Sequence, residues 1–130
     1  MAKVDRFEDL IIWQKARELN KDIYSLTKRG EFKFDTRFVQ QVRAAAGSVM
    51  DNIAEGFERA GNKEFVNFLY IAKGSCGEVR SQIARALDAE YIDEEEYKLL
   101  YTKCINVSSN IMKFISSMTE SEYKGSKYNS

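Results

Sequence analysis

Apolar residues recur at helical spacing along most of this chain, and no proline interrupts them. In four successive segments the apolar side chains step by three and four positions, which is the period of one helix face. Because proline removes a backbone donor and breaks helices, its absence lets each segment form an uninterrupted helix. The pattern therefore predicts helices 1 to 4 over about 7–29, 35–58, 62–90 and 93–118.

Short polar connections between these segments predict the fold class: all-α, as an antiparallel up-down-up-down four-helix bundle. A length of 130 residues suits one domain. We expect residues 1–119 to form the bundle and residues 120–130 to form a polar C-terminal tail that frays. Asp35 and Asp93 are suited to cap helices 2 and 4. The pattern leaves open whether Gly56 lies inside helix 2 or just beyond it.

The charge balance limits the possible functions. Twenty basic residues match twenty acidic ones, whereas nucleic-acid binders are usually clearly basic. RNA binding by such a chain requires charges that are segregated into patches, and residues 1–34 are mildly basic. The chain contains no histidine, which is the usual general base and the commonest metal ligand. We therefore expect no enzymatic activity, no metal site and no cofactor.

The two cysteines, Cys76 and Cys104, lack the CxxC spacing of redox and metal motifs and fall on the apolar stripes. We interpret both as reduced core residues, which is typical of a cytoplasmic protein. No apolar run approaches the roughly 18 residues of a membrane span. The first residues also lack the apolar core of a signal peptide. The sequence thus predicts a cytoplasmic protein with no membrane partner.

Three glycines, Gly47, Gly74 and Gly77, lie inside predicted helices, where each costs about 1 kcal/mol relative to alanine. Such a glycine usually has a packing reason. We favour close approach of helices 2 and 3, or of helix 3 and a neighbouring subunit. A groove that admits a ligand backbone is the alternative.

Polar residues beside the apolar stripes of helices 2 and 3 form the candidate site. Glu55 and Arg59 are four positions apart and can pair along one helix face. If Arg43 is partly buried, it needs a carboxylate or a phosphate partner, and Glu78 is a candidate carboxylate. The set is either a structural network that ties helices 2 and 3, which we favour, or an RNA contact. Its members are Arg43, Asn52, Glu55, Arg59, Lys73, Ser75 and Glu78.

Aromatic residues outnumber those that a small core needs, and several flank the inner stripes. Leftover apolar surface favours a subunit interface, and RNA base stacking is the competing interpretation. The flanking residues are Trp13, Tyr24, Tyr70, Tyr91 and Tyr101.

Two phrases carry a family resemblance. The first is Gln41-Val42-Arg43-Ala44-Ala45-Ala46-Gly47-Ser48 followed by Asn52-Ile53-Ala54-Glu55-Gly56, and the second runs from Glu64-Phe65 through Ala72-Lys73-Gly74-Ser75 to Glu78. Together they resemble the 23S rRNA intervening-sequence protein family, also called the S23 ribosomal protein family. Ala44 departs from the family pattern, which often has a second arginine at this position.

The resemblance implies a four-helix bundle that assembles into a ring-like homopentamer and binds RNA, such as the 23S rRNA intervening sequence. The alternative function is a protein-interaction scaffold, or an accessory subunit of a mobile-element system, that recruits an unidentified protein and does not bind RNA directly.

Overall fold

Four long helices form the protein, in a computed structural model that describes residues 4–59 and 61–129, with side chains to residue 120. Each helix packs against its neighbours in sequence, and the fourth packs back on the first. This arrangement confirms the predicted all-α four-helix bundle. The helices are α1 (Ile11–Thr27), α2 (Thr36–Glu58), α3 (Asn62–Asp88) and α4 (Glu94–Asn129), and 3-10 turns occupy Phe7–Asp9 and Phe32–Phe34.

The first helix begins four residues later than predicted. Phe7–Asp9 form a separate 3-10 turn, and Leu10 is extended, with φ −74° and ψ 128°. Leu10 is buried in the core, so the chain bends to insert this side chain before α1 starts. The helix also ends at Thr27, and Gly30 adopts the left-handed conformation with φ 50° in the following turn.

Capping residues at the starts of α2 and α4 are as predicted. The Asp35 carboxylate accepts a hydrogen bond from the Phe38 amide at 3.3 Å. At α4, Asp93 Oδ1 accepts from the Glu96 amide at 2.8 Å, and Glu96 Oε1 accepts from the Asp93 amide at 3.3 Å. This reciprocal pair satisfies two amides that would otherwise lack partners, so it fixes where α4 begins.

The last helix continues to Asn129, beyond the end predicted near residue 118. Polar composition alone does not end a helix, and no proline occurs in this segment to stop it. The side chains of residues 121–130 lie outside the described residues, and the fraying of the tail stays a prediction.

Gly56 lies inside α2 and is buried against α3. A Cβ on this residue would stand 2.7 Å from Phe68 Cβ and 2.9 Å from Phe65 Cδ1. The open question about Gly56 is therefore answered: it is a helical residue, and its missing side chain allows α3 to approach α2 closely.

The inner stripes of all four helices meet in one core, to which Leu19, Ile53, Leu69 and Ile111 each contribute a fully buried side chain. Full burial of such a side chain stabilises the fold by roughly 1.5–3 kcal/mol. The prediction that both cysteines are core residues is also confirmed. Cys76 Sγ donates a hydrogen bond to the Cys104 carbonyl oxygen at 3.2 Å, across the α3–α4 contact.

An aromatic cluster closes the end of the bundle near the α3–α4 connection. The Tyr91 ring stacks on Phe32, with ring centres 4.7 Å apart, and its hydroxyl donates to Asp35 Oδ2 at 2.8 Å. That hydrogen bond, together with desolvation and the charge of the carboxylate, raises the pKa of Tyr91. Tyr91 therefore has a packing role inside the chain.

Candidate nucleic-acid interface

Arg43 on α2 is held by two contacts with α1. Its Nε donates a hydrogen bond to Thr27 Oγ1 at 2.8 Å, and its guanidinium lies 4.4 Å from the centre of the Tyr24 ring. The Thr27 hydroxyl donates in turn to the Ile23 carbonyl at 2.8 Å, which orients its lone pairs toward the arginine. The guanidinium is therefore fixed in position before any ligand arrives.

Glu78, the carboxylate considered as a partner of Arg43, does not pair with it. Position 43 faces α1, whereas Glu78 lies exposed on α3, and no ion pair joins them. Among the described residues no carboxylate lies within 4.0 Å of the Arg43 nitrogens, and Thr27 is the only hydrogen-bond partner. Because a guanidinium carries five N–H donors and Nε uses one, four donors remain for an acceptor from outside the chain.

Further cations lie on the same side of α1 as Tyr24. Arg17, Lys21, Tyr24 and Lys28 step by four, three and four positions, so they share one helix face, and all four are exposed. Arg17 lies over the Trp13 ring at 5.5 Å, and in the described structure none of these cations forms a salt bridge. We call Arg17, Lys21, Lys28 and Arg43 the basic face.

Cations on the side of α1 that meets α4 behave differently. Arg29 pairs with Glu96, and Lys103 of α4 pairs with Asp22 at a separation of 2.6 Å. Lys15 of α1 also contacts α4, where its Nζ donates to the neutral Asn106 Oδ1 at 2.6 Å. The net charge of zero therefore conceals a partial segregation: ion pairs link α4 to Asp22 and Arg29, whereas the cations beside Tyr24 have no carboxylate partner among the described residues. Arg17, Lys21 and Lys28 belong to the mildly basic segment 1–34 but were not predicted as part of the candidate site, although their spacing of four and seven positions indicates one helix face.

A shallow groove runs along the surface beside Arg43. Gly47 lies in it, and an added Cβ would meet no atom closer than Asn20 Oδ1 at 4.0 Å. Asp51 adds one negative charge near Arg43. The lining residues are Tyr24, Gln40, Arg43, Ala44, Gly47, Ser48, Asp51 and Asn52.

Close approach of helices 2 and 3 does not explain the mid-helix glycines, so that prediction is wrong. Within the part of the chain that the structure describes, an added Cβ at Gly74 or Gly77 would have no neighbour within 4 Å, and both residues are exposed. Of the glycines in α2, only Gly56 is required by packing against α3. The alternative of a neighbouring subunit against helix 3 stays a prediction.

A polar network does join α2 and α3, but Ser48 is its centre. The Ser48 and Ser75 hydroxyl oxygens are 2.8 Å apart, and Asn52 Nδ2 donates to the Ser48 carbonyl at 2.8 Å and to its Oγ at 2.9 Å. The network thus contains Asn52 and Ser75 of the predicted set. Ser48 was missed as a member, although it belongs to the phrase that carries the family resemblance.

The other predicted site residues lie outside this network. The predicted Glu55–Arg59 pair is confirmed, with an N–O distance of 3.1 Å between half-exposed side chains. Such a pair contributes only about 0.3–0.5 kcal/mol. Lys73 is half-buried and Glu78 is exposed on α3, and no contact joins either residue to Arg43.

The described residues also limit other kinds of site. Within residues 4–59 and 61–120, no three metal-binding side chains come together. The interaction between the two thiols, followed by burial, raises the pKa of Cys104, and the same interaction lowers the pKa of Cys76. No helix in the described part of the chain is both long and apolar enough to cross a membrane.

Comparison with known proteins identifies the family. The model of the 23S rRNA-intervening sequence protein family matches residues 8–113. The chain belongs to this family. The match includes all of the basic face and the groove, and it confirms the resemblance carried by the two sequence phrases.

The fold of this family member is similar to the crystal structure of a protein with unknown function from the S23 ribosomal protein family of Bacteroides thetaiotaomicron. The TM-score is 0.72 at 21% identity, over 81% of this chain and 98% of that chain. At this identity the likeness establishes the fold alone. None of the curated proteins compared with the chain is significantly similar to it.

Proposed function

We propose that this protein is a non-enzymatic RNA-binding protein whose basic face contacts RNA phosphates. The observation that carries the proposal is the state of Arg43, which is fixed by Thr27 and Tyr24 and has no carboxylate partner among the described residues. The family name refers to intervening sequences of 23S rRNA, which makes rRNA the first RNA to test.

The chemistry of the basic face suits a polyanion. Arginine binds a phosphate through two parallel hydrogen bonds, and lysine binds it as a point charge. Arg17 and Lys28 are eleven positions apart on one helix, which corresponds to roughly 16 Å along its axis. A cation row of this length can follow several successive phosphates of one strand.

Self-association into a ring, with five copies expected from the family, is part of the proposal. Exposed apolar side chains on α3 and α4 support it, because contiguous apolar surface marks interaction sites. Tyr70 belongs to α3, and Tyr101, Ile105 and Met112 belong to α4. An Ile105→Glu variant should lower the mass measured by light scattering, whereas an unchanged mass would place the interface elsewhere.

A protein-interaction scaffold, such as an accessory subunit of a mobile-element system, is the second candidate function. The same exposed apolar residues and the net charge of zero favour it. A pull-down that recovers one protein partner after nuclease treatment, from a chain that fails to bind RNA, would replace the first proposal with this one. Under either function we propose a cytoplasmic location.

The test of RNA binding is a salt titration with a 23S rRNA stem-loop and an unrelated RNA of equal length. Log affinity should fall linearly with log salt, by about 0.7 per phosphate contacted in a single strand. Arg43→Gln should reduce both the affinity and this slope. Arg29→Gln is the matched control, because Arg29 is already paired with Glu96 on the opposite side of α1.

Two results would refute the proposal. One is the absence of RNA binding by the wild-type protein at about 50 mM salt, where electrostatic affinity is much stronger than at physiological salt. The other is an equal loss of affinity in Arg43→Gln and Arg29→Gln, which would indicate that the basic face has no special role.

A further inference from the structure

We propose that the groove beside Arg43 holds one unpaired RNA nucleotide, with its base stacked on the Tyr24–Arg43 pair. The inference rests on the proposed function and extends it from phosphate contact to recognition of single-stranded RNA. Three observations support it: the contact between Arg43 and the Tyr24 ring, the free space around Gly47, and the polar side chains that line the groove.

The stacked pair provides a platform for a base. The Tyr24 side chain remains 40% exposed although the Arg43 guanidinium lies 4.4 Å from its ring centre. Aromatic rings and guanidinium planes are the surfaces on which unpaired RNA bases stack. Because Thr27 fixes Nε at 2.8 Å, the guanidinium plane is oriented in advance and little freedom is lost on binding.

Gly47 keeps the groove open next to this platform. A glycine inside a helix is destabilising relative to alanine, and no atom packs closely enough at Gly47 to require one. The exposed Ala44, one helical turn earlier, is also small. The lack of large side chains at these two positions leaves room for a ligand, in agreement with the groove alternative derived from the sequence.

Hydrogen-bonding side chains surround this space. The exposed Gln40 amide can donate and accept, and the Asn52 Oδ1 and the Asp51 carboxylate can accept, so both donors and acceptors are available for a base edge or a ribose hydroxyl. In a duplex the bases are stacked on one another and their edges are paired. A duplex could therefore contact the cations of the basic face but could not place a base in the groove.

The experiment compares a fluorescently labelled RNA of about a dozen nucleotides with its blunt duplex, by anisotropy titration. We expect Tyr24→Leu to bind the single strand more weakly by on the order of tenfold, which corresponds to the loss of one base–aromatic stack. Duplex affinity should fall less than single-strand affinity, because Thr27 still holds the Arg43 guanidinium and no cation is removed. Phe34→Leu is the matched control, since Phe34 is 75% exposed and lies under Lys33 but does not line the groove beside Arg43.

Gly47→Leu is the second variant, because it fills the groove while adding a good helix former. It should retain or raise thermal stability and lose single-strand affinity as Tyr24→Leu does. Equal losses on single strand and duplex, or no loss in either variant while the wild type binds RNA, would overturn the stacked-nucleotide proposal and leave RNA binding intact. Failure of the wild type to bind either RNA would overturn both proposals.

Discussion

The contrast between Gly56 and Gly77 gives a quantitative test of the helix packing. Replacing either residue with alanine removes a flexible helical glycine, which alone is worth up to about 1 kcal/mol. At Gly77 the new methyl group would meet no atom within 4 Å, so this gain is realised in full. We expect Gly77→Ala to raise the free energy of unfolding by about 0.5–1 kcal/mol.

At Gly56 the same methyl group would stand 2.7 Å from Phe68 Cβ, a contact that real Cβ atoms do not make. A Cβ cannot rotate away as a side-chain tip can, so the α3 backbone must move and the core must repack. Overpacking of this kind costs about 1–3 kcal/mol, which exceeds the propensity gain. We therefore expect a net loss of about 1–2 kcal/mol.

Urea unfolding followed by circular dichroism at fixed protein concentration measures both changes. The midpoint should fall for Gly56→Ala and rise for Gly77→Ala, and the free energies of unfolding of the two variants should differ by about 1.5–3 kcal/mol. A Gly56→Ala variant as stable as the wild type would refute the argument that this glycine sets the α2–α3 distance. A loss of stability in Gly77→Ala would mean that another copy of the chain packs against α3 at this point.

Three further predictions concern single side chains. Gln82 is 6% exposed and its Oε1 has no hydrogen-bond partner among the described residues, so Gln82→Met should raise the free energy of unfolding by about 1 kcal/mol in urea; a clear loss would show that the oxygen is satisfied. Asp35 raises the pKa of Tyr91 in the folded protein. The stabilising contribution of the Tyr91–Asp35 hydrogen bond is therefore fully present below the phenol's ordinary pKa of about 10 and is lost as pH rises through the pKa of the folded state. In a spectrophotometric titration, Tyr91→Phe should remove a phenol that ionises above that pKa; an unchanged curve would contradict the hydrogen bond. Cys76 and Cys104 should resist a thiol reagent at pH 8 until the protein unfolds, because both are buried; rapid labelling of the native protein would refute this.

Local sequence signals predicted much of the fold because they depend on residues near one another in the chain. The caps at Asp35 and Asp93 and the Glu55–Arg59 pair all involve positions three or four apart. The start of α1 was missed because Leu10 leaves helical geometry to reach the core, which is a tertiary effect. Helix periodicity alone contains no signal for that insertion.

The candidate site was harder to predict because its geometry depends on how α1 and α2 are rotated against each other. The sequence position of Arg43 allows its side chain to face either α1 or α3. Glu78 is a possible partner only if Arg43 faces α3, whereas the side chain contacts α1. Its actual partner, Thr27, is separated from it by sixteen residues and a turn. The burial of Cys76 and Cys104 could be predicted without knowing how the helices are rotated, because both residues lie on the apolar stripes that face the core.

Segregation of charge answers the main objection to RNA binding by a chain with zero net charge. Long-range attraction depends on net charge, but contact with phosphates depends on cations that lack nearby carboxylates. On α1 these cations share the face of Tyr24, which contacts Arg43 of α2, while most of the exposed large apolar side chains in the described part of the chain lie on α3 and α4. In the proposed ring, association through α3 and α4 would leave every basic face open. Several weak sites on one assembly would then bind a long RNA far more tightly than one copy could, because each later contact is intramolecular.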